Sequence, residues 1–91
     1  MPKVIITANV EDATKWEAGF RTRGDLFKRQ TIKVCHYSMS KGNQIATCFE
    51  MDDLDTYMKI LDSPSTAEAM TADGIDRDSV KVFVLDKEFR P

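Results

Sequence analysis

The stretch that decides the fold is Thr31–Met51, TIKVCHYSMSKGNQIATCFEM. Two apolar-rich runs flank the turn-forming residues Ser40–Asn43, in which Gly42 suits a positive φ, and this pattern predicts a β-hairpin. A turn symmetric about Lys41 and Gly42 makes apolar groups and opposite charges meet across the strands, which stabilises cross-strand pairs. The predicted pairs are Ile32 with Met51, Lys33 with Glu50, Val34 with Phe49, Cys35 with Cys48 and His36 with Thr47.

The segment before the hairpin predicts a strand and an interrupted helix. Lys3–Asn9 alternates between two apolar faces, which is typical of a central strand. The capping residues of Asn9–Asp12 then precede Trp16 and Phe20, which are spaced for one face of a helix. Gly24–Asp25 is expected to interrupt that helix.

The segment after the hairpin predicts a broken helix and a last strand. Asp52–Asp53 suits a helix start, and it precedes an amphipathic stripe made of Leu54, Tyr57, Met58 and Leu61. Ser63–Pro64 predicts the start of a second helix that ends at Gly74. Ser79–Asp86 alternates again and predicts the last strand.

This order of elements predicts an α+β fold in which residues 1–91 form a single domain. It is the ferredoxin-like βαββαβ plan, a four-stranded antiparallel sheet with its helices on one face. The other face is too apolar to stay in water, so we expect a second copy to cover it in a sheet-to-sheet dimeric barrel. The side chains predicted on that face are Ile5, Thr7, Cys35, Tyr37, Ala46, Cys48, Phe83 and Leu85.

Composition argues against nucleic-acid and membrane partners. The chain has 91 residues and a net charge of −2, and it has no basic stripe with interleaved aromatic residues. No apolar run approaches the roughly 20 residues that span a bilayer, and the N-terminus has no signal-peptide pattern, so a cytoplasmic protein is expected. The densest basic patch, formed by Arg21, Arg23, Lys28 and Arg29, is interpreted as a solvated helix face, with anion or acidic-partner binding as the alternative.

The two cysteines are interpreted as buried thiols. Cys35 and Cys48 fall on adjacent predicted strands, and a reversible cross-strand disulfide stays open as an alternative. The sequence has no metal-ligand spacing and no glycine-rich phosphate loop, so neither a metal nor a cofactor is expected. Asp52 and Asp53 are assigned to helix capping rather than to a metal.

Three groups of residues carry a resemblance to a known family. They are Val10–Asp12 with Trp16 and Phe20, the run Phe49–Leu54, and Leu61–Pro64 with Ala67–Met70 and Gly74–Ile75. The chain resembles the dimeric α+β barrel proteins, a group that includes antibiotic-biosynthesis monooxygenases. The resemblance implies a homodimer and, in enzymatic members, a pocket between the sheet and its own helices. It also implies constellations of Asn, Trp and His in cofactor-independent oxygenases of the group, and this chain has Asn9, Trp16 and His36.

The candidate site is predicted in that helix–sheet pocket. The predicted register puts His36, the only histidine, on the helix side, where desolvation would suit it to act as a base near neutral pH. The alternative is a partly buried histidine that is satisfied by a hydroxyl or a backbone carbonyl. Ser38 and Thr47 would assist it. Trp16, Phe20 and Tyr57 would form the walls, although ordinary core packing explains the first two equally well.

The function favoured by the sequence is binding of a small, partly apolar molecule in this pocket. One alternative is a cofactor-independent monooxygenase or isomerase with His36 as its base. The other is a structural or regulatory dimer without a ligand. Whether the chain is an enzyme is left open.

Overall fold

The computed structural model describes residues 1–91 and has the predicted α+β plan. The strands are β1 (Lys3–Asn9), β2 (Ile32–Met39), β3 (Gln44–Met51) and β4 (Lys81–Val84), and the helices are α1 (Ala13–Phe20), α2 (Gly24–Arg29), α3 (Leu54–Leu61) and α4 (Pro64–Ala72). All neighbouring strands are antiparallel, in the order β2-β3-β1-β4. The ferredoxin-like prediction is confirmed. The interruption predicted near Gly24 separates α1 from α2.

The core lies between the helices and one face of the sheet. Val4, Ile6 and Ala8 alternate along β1 as buried residues, and every second residue of β3 is buried in the same way. The buried residues of β3 are Ile45, Thr47, Phe49 and Met51. Trp16 from α1 and Tyr57 from α3 pack against them and are each 1% exposed.

The hairpin turn is one residue longer than predicted. The Ser40 amide donates to the Gln44 carbonyl at 2.8 Å, which leaves a three-residue loop centred on Gly42. The positive φ of 56° is at Asn43 and not at Gly42. Asn43 tolerates this conformation because its short polar side chain bonds locally. Its Oδ1 accepts from the Ala13 amide at 3.1 Å, and its carbonyl accepts from the Val10 amide at 2.9 Å. Docking onto the start of α1 therefore favours this loop over the symmetric turn.

The longer loop shifts the β2–β3 register by one residue, so most of the predicted pairs are wrong. Cys35 faces Phe49, His36 faces Cys48, and Tyr37 faces Thr47. A β-bulge between Ile32 and Val34 absorbs the shift, and the predicted Ile32–Met51 pair is confirmed.

The predicted charge pair of the hairpin is also wrong. Lys33 occupies the bulge, and its Nζ lies 3.4 Å from Oδ2 of Asp52. Glu50 is instead 3.8 Å from the Nζ of Lys3. Each of the two predicted partners therefore has a different partner of opposite charge.

A one-residue slip exchanges the two faces of β2. Cys35 and Tyr37, predicted on the side away from the helices, lie on the helix side and pack against the core. Val34, His36 and Ser38 take their place and are exposed. We call the side away from the helices the open face; it carries Ile5, Thr7, Val34, His36, Ser38, Ala46, Cys48, Phe83 and Leu85.

The helix ends largely follow the sequence signals. The Asp12 side chain accepts from the amides of Thr14 and Lys15, and that of Asp53 accepts from the Thr56 amide. This bond is the main reason why the pKa of Asp53 is lowered. Helix α4 ends at Ala72 and is followed, after the C-cap Asp73, by Gly74 with φ 75°; the Ile75 amide donates to the Met70 carbonyl at 3.0 Å, which is a Schellman motif.

The last strand is shorter than predicted. Residues Arg77–Ser79 form a 3₁₀ turn, so β4 begins only at Lys81. Phe83, Leu85 and Phe89 are 50%, 48% and 85% exposed. No helix has the length and apolar character needed to cross a membrane.

Candidate functional site

A cavity of about 70 Å³ lies between the helices and the central strands. We call it the helix–sheet pocket. Its walls are mostly apolar, and Arg23 and Asp73 are the only charged residues among them. The lining residues from the sheet are Ile6, Ile45, Thr47 and Phe49, and those from the helical layer include Trp16, Phe20, Leu26, Phe27, Tyr57, Leu61 and Met70.

Four of the six predicted site residues meet in this pocket. Trp16, Phe20, Thr47 and Tyr57 all line it. The other two do not: His36 and Ser38 are exposed on the open face, so the prediction that they point at the helices is wrong. The reason is the register shift, because both lie beyond the bulge. The pocket therefore contains no histidine.

A row of four aromatic side chains forms one wall of the pocket. The ring centroids of Trp16 and Phe20 are 4.7 Å apart, those of Phe20 and Phe49 are 6.2 Å apart, and those of Phe49 and Tyr57 are 5.9 Å apart. Tilted pairs at these separations are favourable for aromatic rings beyond the area that they bury. The wall thus runs without a break from α1 across β3 to α3.

Tyr57 is the polar residue of the pocket that lacks a partner. Its hydroxyl is buried and makes no hydrogen bond. Burial is the main reason why the pKa of this phenol is raised, so it is protonated at neutral pH and can donate. An orphaned buried hydroxyl costs about 1–3 kcal/mol. The free donor is therefore an unfavourable feature unless something in the pocket accepts from it.

The other buried polar groups around the pocket are satisfied within the chain. Oγ1 of Thr47 donates to the Ile6 carbonyl at 3.5 Å, and Oγ1 of Thr66 donates to the Ile60 carbonyl at 2.6 Å. Nε2 of Gln30 donates to the Tyr57 carbonyl at 3.4 Å. Thr47 is consequently a weaker candidate for ligand contact than Tyr57.

An ion pair joins the two helical segments at the edge of the pocket. Nη2 of Arg23 lies 2.7 Å from Oδ1 of Asp73, and Nε lies 3.2 Å from Oδ2. The Asp73 side chain is only 8% exposed and that of Arg23 is 28% exposed. The hydrogen bonds to Asp73 are the main reason why the pKa of Arg23 is raised.

The sequence interpretation of Arg23 as part of a solvated helix face did not anticipate this pair. The position of Asp73 in the sequence was a signal for this pair. Asp73 follows the last turn of α4, where the helix dipole disfavours a carboxylate. A buried acid at such a position needs a cation.

A second network, outside the pocket, fixes the edge strand to α1. Nη1 of Arg21 donates to the Tyr37 hydroxyl at 2.9 Å, and that hydroxyl donates to Oε2 of Glu17 at 2.5 Å. The hydrogen bond to Tyr37 is the main reason why the pKa of Arg21 is raised. The Tyr37 ring also packs on Trp16, at 5.6 Å between centroids. The predicted register placed Tyr37 on the open face, so the sequence did not indicate this role.

The two cysteines are free and lie on opposite faces of the sheet. Burial raises the pKa of the Cys35 thiol to about 11, so it is protonated at neutral pH. The predicted opposition of Cys35 and Cys48 is wrong. No group of three or more His, Cys, Asp or Glu side chains is arranged to hold a metal ion.

Comparison with solved structures identifies the fold. A protein of Bordetella bronchiseptica proposed to be an antibiotic biosynthesis monooxygenase superposes with a TM-score of 0.76 and 16% identity, and the match covers 97% of each chain. The chain has the fold of the antibiotic biosynthesis monooxygenases. SnoaB, a cofactor-independent oxygenase from Streptomyces nogalater, superposes with a TM-score of 0.72 and 15% identity over 98% of this chain and 94% of SnoaB.

A plant protein shares the same fold. At3g17210 from Arabidopsis thaliana has a TM-score of 0.70 and 14% identity over 100% of this chain and 99% of its own. No protein-family model and no curated protein sequence matches the chain. The resemblance to antibiotic-biosynthesis monooxygenase-like proteins is thus confirmed at the level of fold.

Proposed function

We propose that this protein binds a small, partly apolar molecule in the helix–sheet pocket. The pocket combines an aromatic wall with one unsatisfied donor, the hydroxyl of Tyr57. Pockets of this kind bind through apolar contact and use a few polar groups for orientation. Trp16 and Phe20 would contact the apolar body of the ligand, with Thr47 beneath it.

The buried hydroxyl of Tyr57 is the observation that carries this proposal. Tyr57 is 1% exposed, so bulk water does not reach the phenol. A ligand with a carbonyl or ether oxygen would accept its hydrogen bond. Binding would then recover the free energy that the orphaned donor costs the empty protein.

The volume of the pocket limits the part of the ligand that enters it. Pockets for drug-sized molecules measure roughly 300–1,000 Å³, whereas this one measures about 70 Å³. A short aliphatic body with a few non-hydrogen atoms suits that volume. A larger ligand would require the helices to move apart or a part of the ligand to lie outside.

A titration with 2-butanone tests the proposal. The probe has one carbonyl and a short apolar body, and the NMR signal of the Trp16 indole N–H reports occupancy because Trp16 is the only tryptophan. We expect a saturable shift in the wild type and, in Tyr57→Phe, an affinity about fivefold weaker for the lost hydrogen bond. Tyr37→Phe, which alters a phenol outside the pocket, is the control. The absence of a saturable shift would contradict the proposal and favour a dimer without a ligand.

We also propose that the protein works as a homodimer in the cytoplasm, with two open faces packed against each other. Support comes from the exposed apolar residues of that face, above all Val34, Phe83 and Leu85, which are 38–50% exposed. A contiguous apolar patch on one face of a sheet marks an interaction surface. A two-fold partner with the same surface would cover them.

The second candidate, a cofactor-independent monooxygenase or isomerase, is supported by the fold shared with SnoaB. A shared fold is an analogy and not evidence of chemistry. The base predicted for that reaction, His36, lies on the open face. The titratable groups that line the pocket are Arg23, Tyr57 and Asp73. Arg23 and Tyr57 are protonated at neutral pH, and the Asp73 carboxylate is paired with Arg23. The binding proposal is therefore preferred.

A further inference from the structure

The Arg23–Asp73 pair lies on the wall of the pocket as well as between helices. Both residues belong to its lining, and they supply its only formal charges. Their positions differ, since the Arg23 side chain is 28% exposed and that of Asp73 is 8% exposed. Arg23 therefore lies where the pocket meets water, and Asp73 lies behind it.

The guanidinium of Arg23 is only partly used. Nε and Nη2 donate to Asp73, and Nη2 also approaches the Ala69 carbonyl at 3.5 Å. Nη1 makes no hydrogen bond within the chain. An arginine has five N–H donors in a rigid fork, so the two N–H groups of Nη1 are available to a ligand while Asp73 and the Ala69 carbonyl take the other three.

The surroundings fix this guanidinium in place. Asp73 binds it through two atoms, and Asp73 itself packs directly against the backbone of Gly19. An arginine held in this way loses little freedom when it binds an oxyanion, and its remaining Nη1 group is a charged donor that suits a carboxylate oxygen.

We propose that Arg23 anchors the carboxylate of a small amphipathic acid whose apolar tail enters the helix–sheet pocket. This inference rests on the proposed binding function and specifies its ligand class. The apolar part of the ligand contacts the aromatic wall and carries the carbonyl or ether oxygen that accepts from Tyr57, and the carboxylate accepts from the Nη1 donors at the edge of the pocket; butyrate and butyramide test the carboxylate contact alone. Asp73 acts as a positioning residue, because it orients the guanidinium without contacting the ligand.

Butyrate and butyramide form a matched pair of probes, since they have the same number of non-hydrogen atoms and differ in charge. Both are titrated against the full chain at low salt, with the Trp16 indole N–H signal as the readout. The carboxylate of butyrate adds a Coulomb attraction to the guanidinium that the neutral amide lacks, so we expect butyrate to bind about fivefold more tightly than butyramide, which corresponds to about 1 kcal/mol.

The variants test which residue produces this preference. Arg23→Gln alone would leave a buried Asp73 unpaired, so the double variant Arg23→Gln with Asp73→Asn keeps a neutral amide pair instead. We expect its affinity ratio to fall to about one. Arg23→Lys, which keeps the charge but loses the fork, should have an intermediate ratio. Arg21→Gln is the matched control, because Arg21 binds Tyr37 outside the pocket, and its ratio should equal that of the wild type.

The outcomes separate this inference from the binding proposal. Equal affinities for the two probes in the wild type, or a preference that survives in the double variant, would overturn the role of Arg23 and leave pocket binding intact. If neither probe shifts the Trp16 signal, both proposals fail.

Discussion

Gly19 and Asp73 are in direct contact across the two helical segments. A Cβ atom at position 19 would lie 2.1 Å from Oδ1 of Asp73 and 2.7 Å from its Cγ. The carboxylate cannot move aside freely, because its side chain is only 8% exposed and is held by Arg23. The absence of a side chain at Gly19 is therefore a condition for the ion pair.

Replacement of Gly19 by Ala should consequently destabilise the protein. The methyl group would displace the Asp73 carboxylate and weaken its pairing with Arg23, and we expect a loss of about 1–3 kcal/mol in the free energy of unfolding. Urea denaturation measures this loss. Gly24→Ala is the control, because no atom lies within 4 Å of a Cβ built there; it should be neutral or stabilising by up to about 1 kcal/mol. Equal effects of the two changes would show that the contact is unimportant.

Removal of the hydroxyl should change the unfolding free energy in opposite directions at Tyr57 and Tyr37. Tyr57→Phe removes an unsatisfied group, and we expect the unfolding free energy to rise by about 1 kcal/mol. Tyr37→Phe breaks the bridge between Arg21 and Glu17, and we expect a fall of about 0.5–1.5 kcal/mol. Thermal or urea unfolding of both variants provides the comparison. A larger loss in Tyr57→Phe than in Tyr37→Phe would mean that the Tyr57 hydroxyl has a partner in solution.

Alkaline pH should destabilise the protein through Cys35. Burial raises the pKa of this thiol from 9.0 to about 11, so between these values the folded state keeps a proton that the unfolded state has released. The stability that the Cys35 thiol contributes is then fully present below pH 9 and is lost as the pH rises towards 11. Urea unfolding as a function of pH should show a smaller fall for Cys35→Ala than for the wild type.

Tyr57 also lowers the stability of the protein as the pH rises, because the pKa of its phenol is raised in the folded state. The difference between the wild type and Cys35→Ala isolates the thiol, since both proteins keep Tyr57. Identical pH profiles would contradict the assignment of a half-buried Cys35 that stays protonated in the folded state.

The open face gives a prediction about assembly. Phe83 faces Ile5 on that surface, and Phe83→Glu would place a charge in the proposed interface. We expect the wild type to sediment at twice the mass of the chain and Phe83→Glu to sediment as a monomer. Thr14→Glu adds the same charge on the exposed side of α1 and should remain dimeric. A monomeric wild type at high concentration would contradict the proposed dimer.

Much of this fold could be predicted from local signals. These signals act over a few neighbouring residues, and the structure places element boundaries at or close to them. They are the alternation along Lys3–Asn9, the capping residues Asp12 and Asp53, the helix start at Ser63–Pro64 and the helix stop at Gly74. The order of these elements was then sufficient for the ferredoxin-like topology.

The faces of β2 could not be predicted in the same way. They depend on whether the hairpin loop contains two residues or three, and that choice is made by Asn43 through its bonds to Val10 and Ala13, more than 29 residues away in the chain. Local pairing rules contain no information about such a contact. One residue of difference was enough to move His36 and Ser38 out of the predicted site and to hide the role of Tyr37.

The bulge at Lys33 has a consequence for changes in chain length. Val34 faces Glu50 and Ile32 faces Met51, so loss of Lys33 alone would leave an uninterrupted ladder in which every remaining side chain of β2 keeps its side. Related chains that are one residue shorter at this point would thus retain the same hairpin. No comparable bulge would absorb an insertion or deletion elsewhere in β2.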